Sequence, residues 1–367
     1  MSAAAAGKTG RGPWIWPAVA VVMALPSLGV GGFAGSSWLW VPVVVALVGT
    51  VLATVHHAEV IAERVGEPYG TLVLAVAVTV IEVALIVSLM LADDTPNMAL
   101  PRDTVYAAVM IIITGMVGAC LFSGSMLHGE QQFQLHGVSA ALATLAALAV
   151  FTLVLPNHTT STPGPSFSPS QLGFVALVSL VLYLAFLFVQ TVRNRHYFLD
   201  DDDTTDDCTP PPPRPARQPM GWTLLALVVA LVGVVLLAKS LAPGITAALD
   251  VVGAPEAATG VFIAALVLLP ESLAALRAAR ANRLQTSLNL SIGSALASIG
   301  LTIPVVAVLA LSMGWTLELG LGAREVELLW LSLLVCTLSL GTGRTTLLHG
   351  AVHLVIFGVF LFTTIVP

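Results

Sequence analysis

Long runs of apolar residues constrain this chain more than any other feature. A bilayer's hydrocarbon core is about 30 Å thick, and an α-helix crosses it in about 20 residues. Eleven runs of about that length stand out: Trp14–Gly32, Trp38–Val55, Tyr69–Ala92, Thr104–Met126, Gly137–Leu155, Gln171–Val192, Gly221–Leu241, Ala258–Leu276, Thr286–Ser312, Val326–Gly341 and Thr346–Val366. None shows the period-two alternation of a barrel strand, so they read as helices, which satisfy their own backbone groups in lipid. Composition agrees. Only 9% of the 367 residues are charged and 57% are hydrophobic, whereas a soluble domain is about 25% charged. This excludes a cytoplasmic enzyme and a disordered chain, and the net charge of −6 argues against nucleic acid as a partner. Cys120, Cys208 and Cys336 lie too far apart for a disulfide scaffold or a CxxC metal site. The expected fold class is an all-α polytopic membrane protein of about 11 transmembrane helices.

The basic residues orient the spans. With the N-terminus in the cytoplasm, Lys8, Arg11, Arg64, Arg193, Arg195, Arg214, Arg217, Arg277, Arg280, Arg283 and Arg344 fall inside, and Arg102, Lys239 and Arg324 outside. Eleven against three is a strong positive-inside bias, and adding or dropping one span would scramble it. The C-terminus is therefore expected outside, in a plasma (inner) membrane. Lys8 and Arg11 before an apolar run resemble a signal peptide. The run is long, however, and Gly29–Gly35 offers no clear cleavage site, so the first span is expected to be retained.

The longest hydrophilic stretch, His196–Met220, carries Asp200, Asp201, Asp202, Asp203, Asp206 and Asp207, then Pro210–Pro213, Arg214 and Arg217. Clustered like charges and prolines do not pack, so it reads as a solvated cytoplasmic linker, with cation attraction as the functional alternative. The expected organisation is a tail and first helix (1–36), five helices (37–192), the linker (193–220) and five more helices (221–367). Five is odd, so the two five-helix halves enter the membrane in opposite senses. Inverted repeats of this kind are a common transporter plan, with the site near the midplane.

Of the twenty acidic residues, eighteen fall in loops or at span edges. Glu82 and Glu271 lie deep in apolar sequence, at corresponding places in the two halves. An acidic residue at mid-bilayer costs about 2.5–3.5 kcal/mol on insertion scales, so intramembrane carboxylates are usually functional. Buried glutamates also serve as helix–helix hydrogen-bonding groups, but the paired placement favours transport chemistry. Thr79 is three residues before Glu82 on the same helix face. Pro270, just before Glu271, removes a backbone donor and frees a carbonyl nearby. Ser287, Ser291, Ser294, Ser298 and Thr302 form one hydroxyl stripe on the next span, and Asn289 adds an amide. Such stripes also occur as plain packing faces. Registering Thr114 on Asn289 puts Gly118 on Gly293, Leu121 on Leu296 and Ser123 on Ser298, a weak internal similarity whose glycines would permit close helix approach.

Two long motifs carry a family resemblance. Gly66-Glu67-Pro68-Tyr69-Gly70-Thr71-Leu72, leading into Val78-Thr79-Val80-Ile81-Glu82-Val83, resembles the ChaA-type calcium/proton antiporters of the cation/calcium exchanger superfamily. So does Leu269-Pro270-Glu271-Ser272, leading to the run from Asn289 to Thr302. The resemblance covers most of the chain from the second span on. It implies two inverted five-helix repeats, an acidic segment between them and one essential carboxylate per repeat, which map onto Glu82 and Glu271. Many relatives have Gly-Asn-x-x-Glu; here Val78-Thr79 and Val267-Leu268 occupy the Gly-Asn positions, so those asparagine oxygens are missing from the ligand set.

These readings converge on a secondary cation/proton antiporter, with Ca²⁺/H⁺ exchange placed first. Na⁺ or K⁺ against H⁺ at the same glutamates is the alternative, and a cation channel is the reading from a different class. Two facing carboxylates away from water hold protons when empty, and titrate as a pair. Ca²⁺ takes about 6–8 oxygens, of which the glutamates would supply four, with Thr79, Thr114, Ser123, Asn289, Ser291, Ser294, Ser298 and backbone carbonyls as further candidates. A channel would need a continuous polar path, and an intramembrane enzyme a nucleophile–base pair or metal triad; the sequence displays neither. Gly124-Ser125, for instance, lacks a nucleophile-elbow context. No cofactor is expected, and the partners are inorganic cations, protons and lipid. His349 and His353, four apart, have metal-binding spacing but no third ligand. His56, His57, Glu59 and Glu63 read as an internal amphipathic turn, a solvated face first and a pH sensor as the alternative, and Glu67 as a cap on its span's entry.

Overall fold

A computed structural model describes residues 12–28, 40–65, 69–90, 97–198, 219–252, 255 and 257–366. Among them are eleven helical rods, one for each expected run. These are α1 (Gly12–Leu28), α2 (Trp40–Val65), α3 (Tyr69–Met90), α4 (Leu100–His128), α5 (Leu135–His158), α6 (Pro169–Arg193), α7 (Met220–Val252), α8 (Ala257–Arg280), α9 (Leu284–Met313), α10 (Ala323–Leu340) and α11 (Leu347–Ile365). Eight contain a stretch long and apolar enough to cross a membrane; α1, α3 and α10 fall short on their described residues. Rod α10 opens with Arg324, Glu325 and Glu327, which shortens its apolar part. The chain is an integral, multi-pass, all-helical membrane protein. Most of the acidic linker and Gly66-Glu67-Pro68 lie outside the described residues.

Two boundaries depart from expectation. Rod α2 runs on to Val65, so His56, His57, Glu59 and Glu63 lie on its last helical turns; His56 and Glu59 are exposed, as a solvated face requires, whereas His57 is buried. The helix continues because this segment has no glycine or proline to stop it. Rod α7 likewise continues past Pro243 and Gly244 to Val252.

The chain divides into two compact units, residues 1–89 with 213–244, and 90–212 with 245–367, so each takes helices from both sides of the linker. In the first, α1 packs along α2. Trp16 lies over Gly49, and Gly233 of α7 meets Ala20, contacts that only glycine permits at such range. Ala58 and Ile61 of α2, Ala77 of α3 and Leu227 of α7 form a buried cluster.

In the second unit, α4 is buried almost throughout and sets the register of its neighbours. It runs parallel to α8: Gly260 abuts the backbone of Asp103 and Thr104, Ser272 Oγ donates to Met116 Sδ at 3.6 Å, and Gln131 Nε2 just beyond α4 donates to Ala279 O at 3.1 Å. It runs antiparallel to α11, with Gly115 against Phe357, Gly118 against His353 and Gly350 against the Phe122 backbone. Gly118 therefore permits close approach as expected, whereas Gly293 has no neighbour within 4 Å and does not.

The connections of this unit sort into two ends. At one, Glu318 N donates to Met98 O, Leu319 N to Pro165 O, Arg102 to Gly320 O and Asn157 to Leu321 O. At the other, a short antiparallel pairing joins β1 (Gln131–Gln132) to β2 (Arg344–Thr345), and Gln285 reaches Gln134 N and Tyr197 O. Each end gathers alternate connections, as membrane-crossing rods require.

Four rods of this unit contain π-helical segments: Ile111–Met116 in α4, Val150–Val154 in α5, Val189–Arg193 in α6 and Ser298–Thr302 in α9. Pro156 and Pro304 follow two of them. Proline cannot donate to the carbonyl four residues back and crowds it, and a widened turn relieves that conflict.

Candidate functional site

In the first unit, α3 buries Val78, Ile81, Leu85 and Ile86, and the same face takes in Thr79 and Glu82. Glu82 is only 2% exposed. The helix is apolar all round, and its spacing of three residues puts the threonine beside the glutamate.

In the second unit, Glu271 sits in the middle of α8 and is 7% exposed. Pro270 stands inside the helix, so the carbonyl of Leu266 lacks its helical donor. The parallel register fixes what lies level with Glu271. With Ser272 on Met116, the matching stretch of α4 is Thr114–Met116, within its π segment. This segment packs against α8, the first half of α9, α10 and α11. The start of α9 meets the end of α4, where Gln131 Nε2 donates to Asn282 Oδ1 at 2.9 Å, and Cys120 faces Ser287 farther along, so residues near Gly293 come level with Thr114. Thr114, Ser291 and Ser294 therefore share the depth of Glu271. Ser298 lies about one turn farther along α9, at the start of its π segment.

The remaining expected residues sit elsewhere. Ser123 is level with the far end of α8, about 12 Å from Glu271 along the axis at about 1.5 Å per residue. Its hydroxyl has no hydrogen bond among the described residues. Asn289 commits both ends of its amide, donating to Phe198 O and accepting from Gln285 Nε2 at 2.8 Å. It ties α9 to the segment after α6. Thr114 donates to Met110 O and Ser291 to Ser287 O, which leaves each hydroxyl oxygen with lone pairs to offer. Of the stripe, Ser287, Ser291, Ser298 and Thr302 are buried, and Ser294 is half-buried. Thr302 Oγ1 has no hydrogen bond among the described residues.

Sequence reasoning missed the buried threonines of α2 and the burial of His57 and His353. Thr50, Thr54 and His57 line one buried face of α2, and the threonine hydroxyls donate to carbonyls four residues back. Their i, i+4, i+7 spacing was available as a signal. His353 is fully buried, with both ring nitrogens in hydrogen bonds, whereas His349 accepts from Thr346 N at its own helix start. The two histidines thus share no metal. No group of three or more His, Cys, Asp or Glu gathers as a metal site among the described residues.

At the Arg102 end is a cavity of about 240 Å³ lined by Arg102, Asp103, Tyr106, Arg324, Glu325 and Phe360. Its charges cancel in neighbouring pairs, Arg102–Asp103 at 2.7 Å and Arg324–Glu325 at 2.8 Å. Both acids sit in the first turn of a helix, where negative charge complements the backbone amides.

The apolar rods bury two carboxylates, with hydroxyls level with one of them, and the sequence falls in a family of transporters, not of enzymes. The model of the sodium/calcium exchanger protein family matches residues 19–192 and 222–366, and the chain belongs to that family. It is 37% identical over 320 residues to the sodium-potassium/proton antiporter ChaA of Escherichia coli (strain K12), covering 87% of this chain and 86% of that protein. It is 50% identical over 321 residues to the putative ionic transporter y4hA of Sinorhizobium fredii (strain NBRC 101917 / NGR234), covering 88% and 87%. The fold is shared with native YfkE, at a TM-score of 0.73 and 16% identity over 97% of this chain and all of that one. It is also shared with the H⁺/Ca²⁺ exchanger CAX, at 0.65 and 14% over 95% of this chain and 88% of that one. The chain is a ChaA-like member of the cation/calcium exchanger superfamily.

Proposed function

We propose that this protein exchanges a cation, Ca²⁺ first, for protons across the plasma membrane, and that transport requires both Glu82 and Glu271. The observation that carries this reading is the burial of one glutamate in each half of a chain that otherwise keeps its acids to loops and span edges. Two inverted five-helix repeats fit it, and the family model matches a segment in each half. The cytoplasm would hold the N-terminus, the linker and the His128 end of the second unit. Away from water, the uncharged carboxyl is favoured unless a cation is present, so metal and protons exclude one another. Oxygens from Thr79, Thr114, Ser291, Ser294 and Ser298, with the Leu266 carbonyl, would complete the coordination of the ion; Ser123 and Asn289 are weaker candidates on their placement. Release on the other side follows from rocking of the repeats.

Monovalent exchange is the second reading, because the E. coli relative is named a sodium-potassium/proton antiporter. Uptake of ⁴⁵Ca²⁺ and of Na⁺ or K⁺ into proteoliposomes under an imposed pH gradient separates the two. Glu82→Gln and Glu271→Gln remove a proton site and a charge with little change of shape. Each is expected to abolish proton-driven uptake while insertion stays normal. Robust exchange by either inserted variant would refute the paired-carboxylate mechanism.

A further inference from the structure

The π segment of α4 has a cause unlike those in α5 and α9. No proline follows it; Val117 N–H reaches back five residues to Ile112 O, and ordinary α-helix then resumes. Where a five-residue ladder gives way to a four-residue one, a carbonyl is passed over. At this step a side chain from another helix arrives: His353 Nδ1 of α11 lies 2.6 Å from Ile113 O. A carbonyl only accepts, so Nδ1 carries the proton. In the neutral ring Nε2 is then an acceptor, and it lies 2.8 Å from the Ser339 hydroxyl of α10, whose one proton it shares with Cys336 O at 3.2 Å. His353 is 0% exposed and Ser339 4%. Gly118 makes the approach feasible, since a Cβ there would stand 2.8 Å from His353 Cβ.

We propose that His353 is a positioning residue for transport, whose Nδ1–H holds the Ile113 carbonyl and so fixes the π segment that presents Thr114 at the depth of Glu271. The proposal rests on the reading that ions bind at that depth. It differs from metal ligation by His353, because both ring nitrogens are occupied by protein groups.

The side chains that separate the roles are asparagine and glutamine. An asparagine amide nitrogen is attached at Cγ, as Nδ1 is, and can still donate to Ile113. The glutamine nitrogen lies one bond farther, like Nε2, and cannot do so from the same rotamer. Phenylalanine keeps the ring and loses both bonds. In proteoliposomes, His353→Phe and His353→Gln are expected to raise the apparent KM for the transported cation about ten-fold, the scale of one buried hydrogen bond. His353→Asn should restore it to within about three-fold. Amide hydrogen exchange across Ile111–Gly118 in the detergent-solubilised protein provides a readout independent of transport. It should quicken in the phenylalanine and glutamine variants and not in the asparagine variant. Equal KM in all variants, or equal impairment of asparagine and glutamine with equal exchange, overturns the proposal. If His353→Phe fails to insert, the asparagine–glutamine pair decides by itself. Failure of the ion-site reading appears separately, as exchange retained by Glu82→Gln or Glu271→Gln while the hydrogen-exchange pattern at Ile111–Gly118 still holds.

Discussion

Gly260→Ala tests whether the contact between α4 and α8 sets the position of Glu271. A Cβ at residue 260 would stand 2.7 Å from Asp103 C and 2.8 Å from Thr104 N. Both are backbone atoms, so no side chain can swing aside. The helices must part by roughly 1 Å to restore a contact of about 3.5 Å. Overpacking of this kind costs about 1–3 kcal/mol. Alanine gains up to about 1 kcal/mol over glycine in a helix, which leaves a net loss of up to about 2 kcal/mol. Gly293→Ala is the matched control: it takes the same propensity gain with nothing within 4 Å of the new methyl. Thermal unfolding of the detergent-solubilised protein should place Gly260→Ala below wild type and Gly293→Ala at or above it. Proton-driven uptake by Gly260→Ala should fall as α8 moves away from Thr114, while the control transports normally. A Gly260→Ala protein as stable and as active as the control would refute the register from which the depth of Thr114 is argued.

Two further outcomes follow from the topology. A cysteine at Thr160, in a cysteine-free background, should react with an impermeant label from outside intact cells, and one at Glu130 only after permeabilisation; the reverse pattern would overturn the orientation. Changing the six linker aspartates to asparagine should shift apparent cation affinity modestly, more at low salt than at high, because exposed charges are screened beyond about 8–10 Å at physiological salt. Transport measured against Ca²⁺ concentration at two ionic strengths checks this, and complete loss of exchange in the inserted variant would make the linker part of the transport path.

Much of the fold was legible because lipid leaves a chain few choices. Each apolar run became a rod, and the misplaced ends lie in α2, where apolarity ends without a helix-breaking residue, and in α7, which runs on past Pro243 and Gly244. Val55 closes the apolar run, but the helix continues through His57 to Val65, since polar residues remain good helix formers once the backbone ladder is established. The burial of Glu82 and Glu271 was legible for the opposite reason: a carboxylate in apolar sequence is costly enough to mark itself. Thr114 was reached only through a weak register against Asn289. The structure puts it at the depth of Glu271 by a different route, the pairing of Met116 with Ser272.

What sequence could not reveal is which hydroxyls and amides have already been used. Ser291, Ser123 and Asn289 look alike as polar points on apolar helices. Their differences come from partners far away in the chain: Phe198 for Asn289, the end of α8 for Ser123. The same holds for the π segment of α4. In α9 a local sign exists, because Pro304 follows Ser298–Thr302 and its missing N–H disturbs the ladder. In α4 the segment IIITGM carries no proline, and the group that meets its displaced carbonyl is a histidine 240 residues away. Read as a stretch of sequence, that histidine is one half of a metal-spaced pair with His349. In the folded unit its ring joins α10 and α11 to the turn of α4 nearest Glu271, and the nitrogen that carries the proton decides which of those helices it donates to.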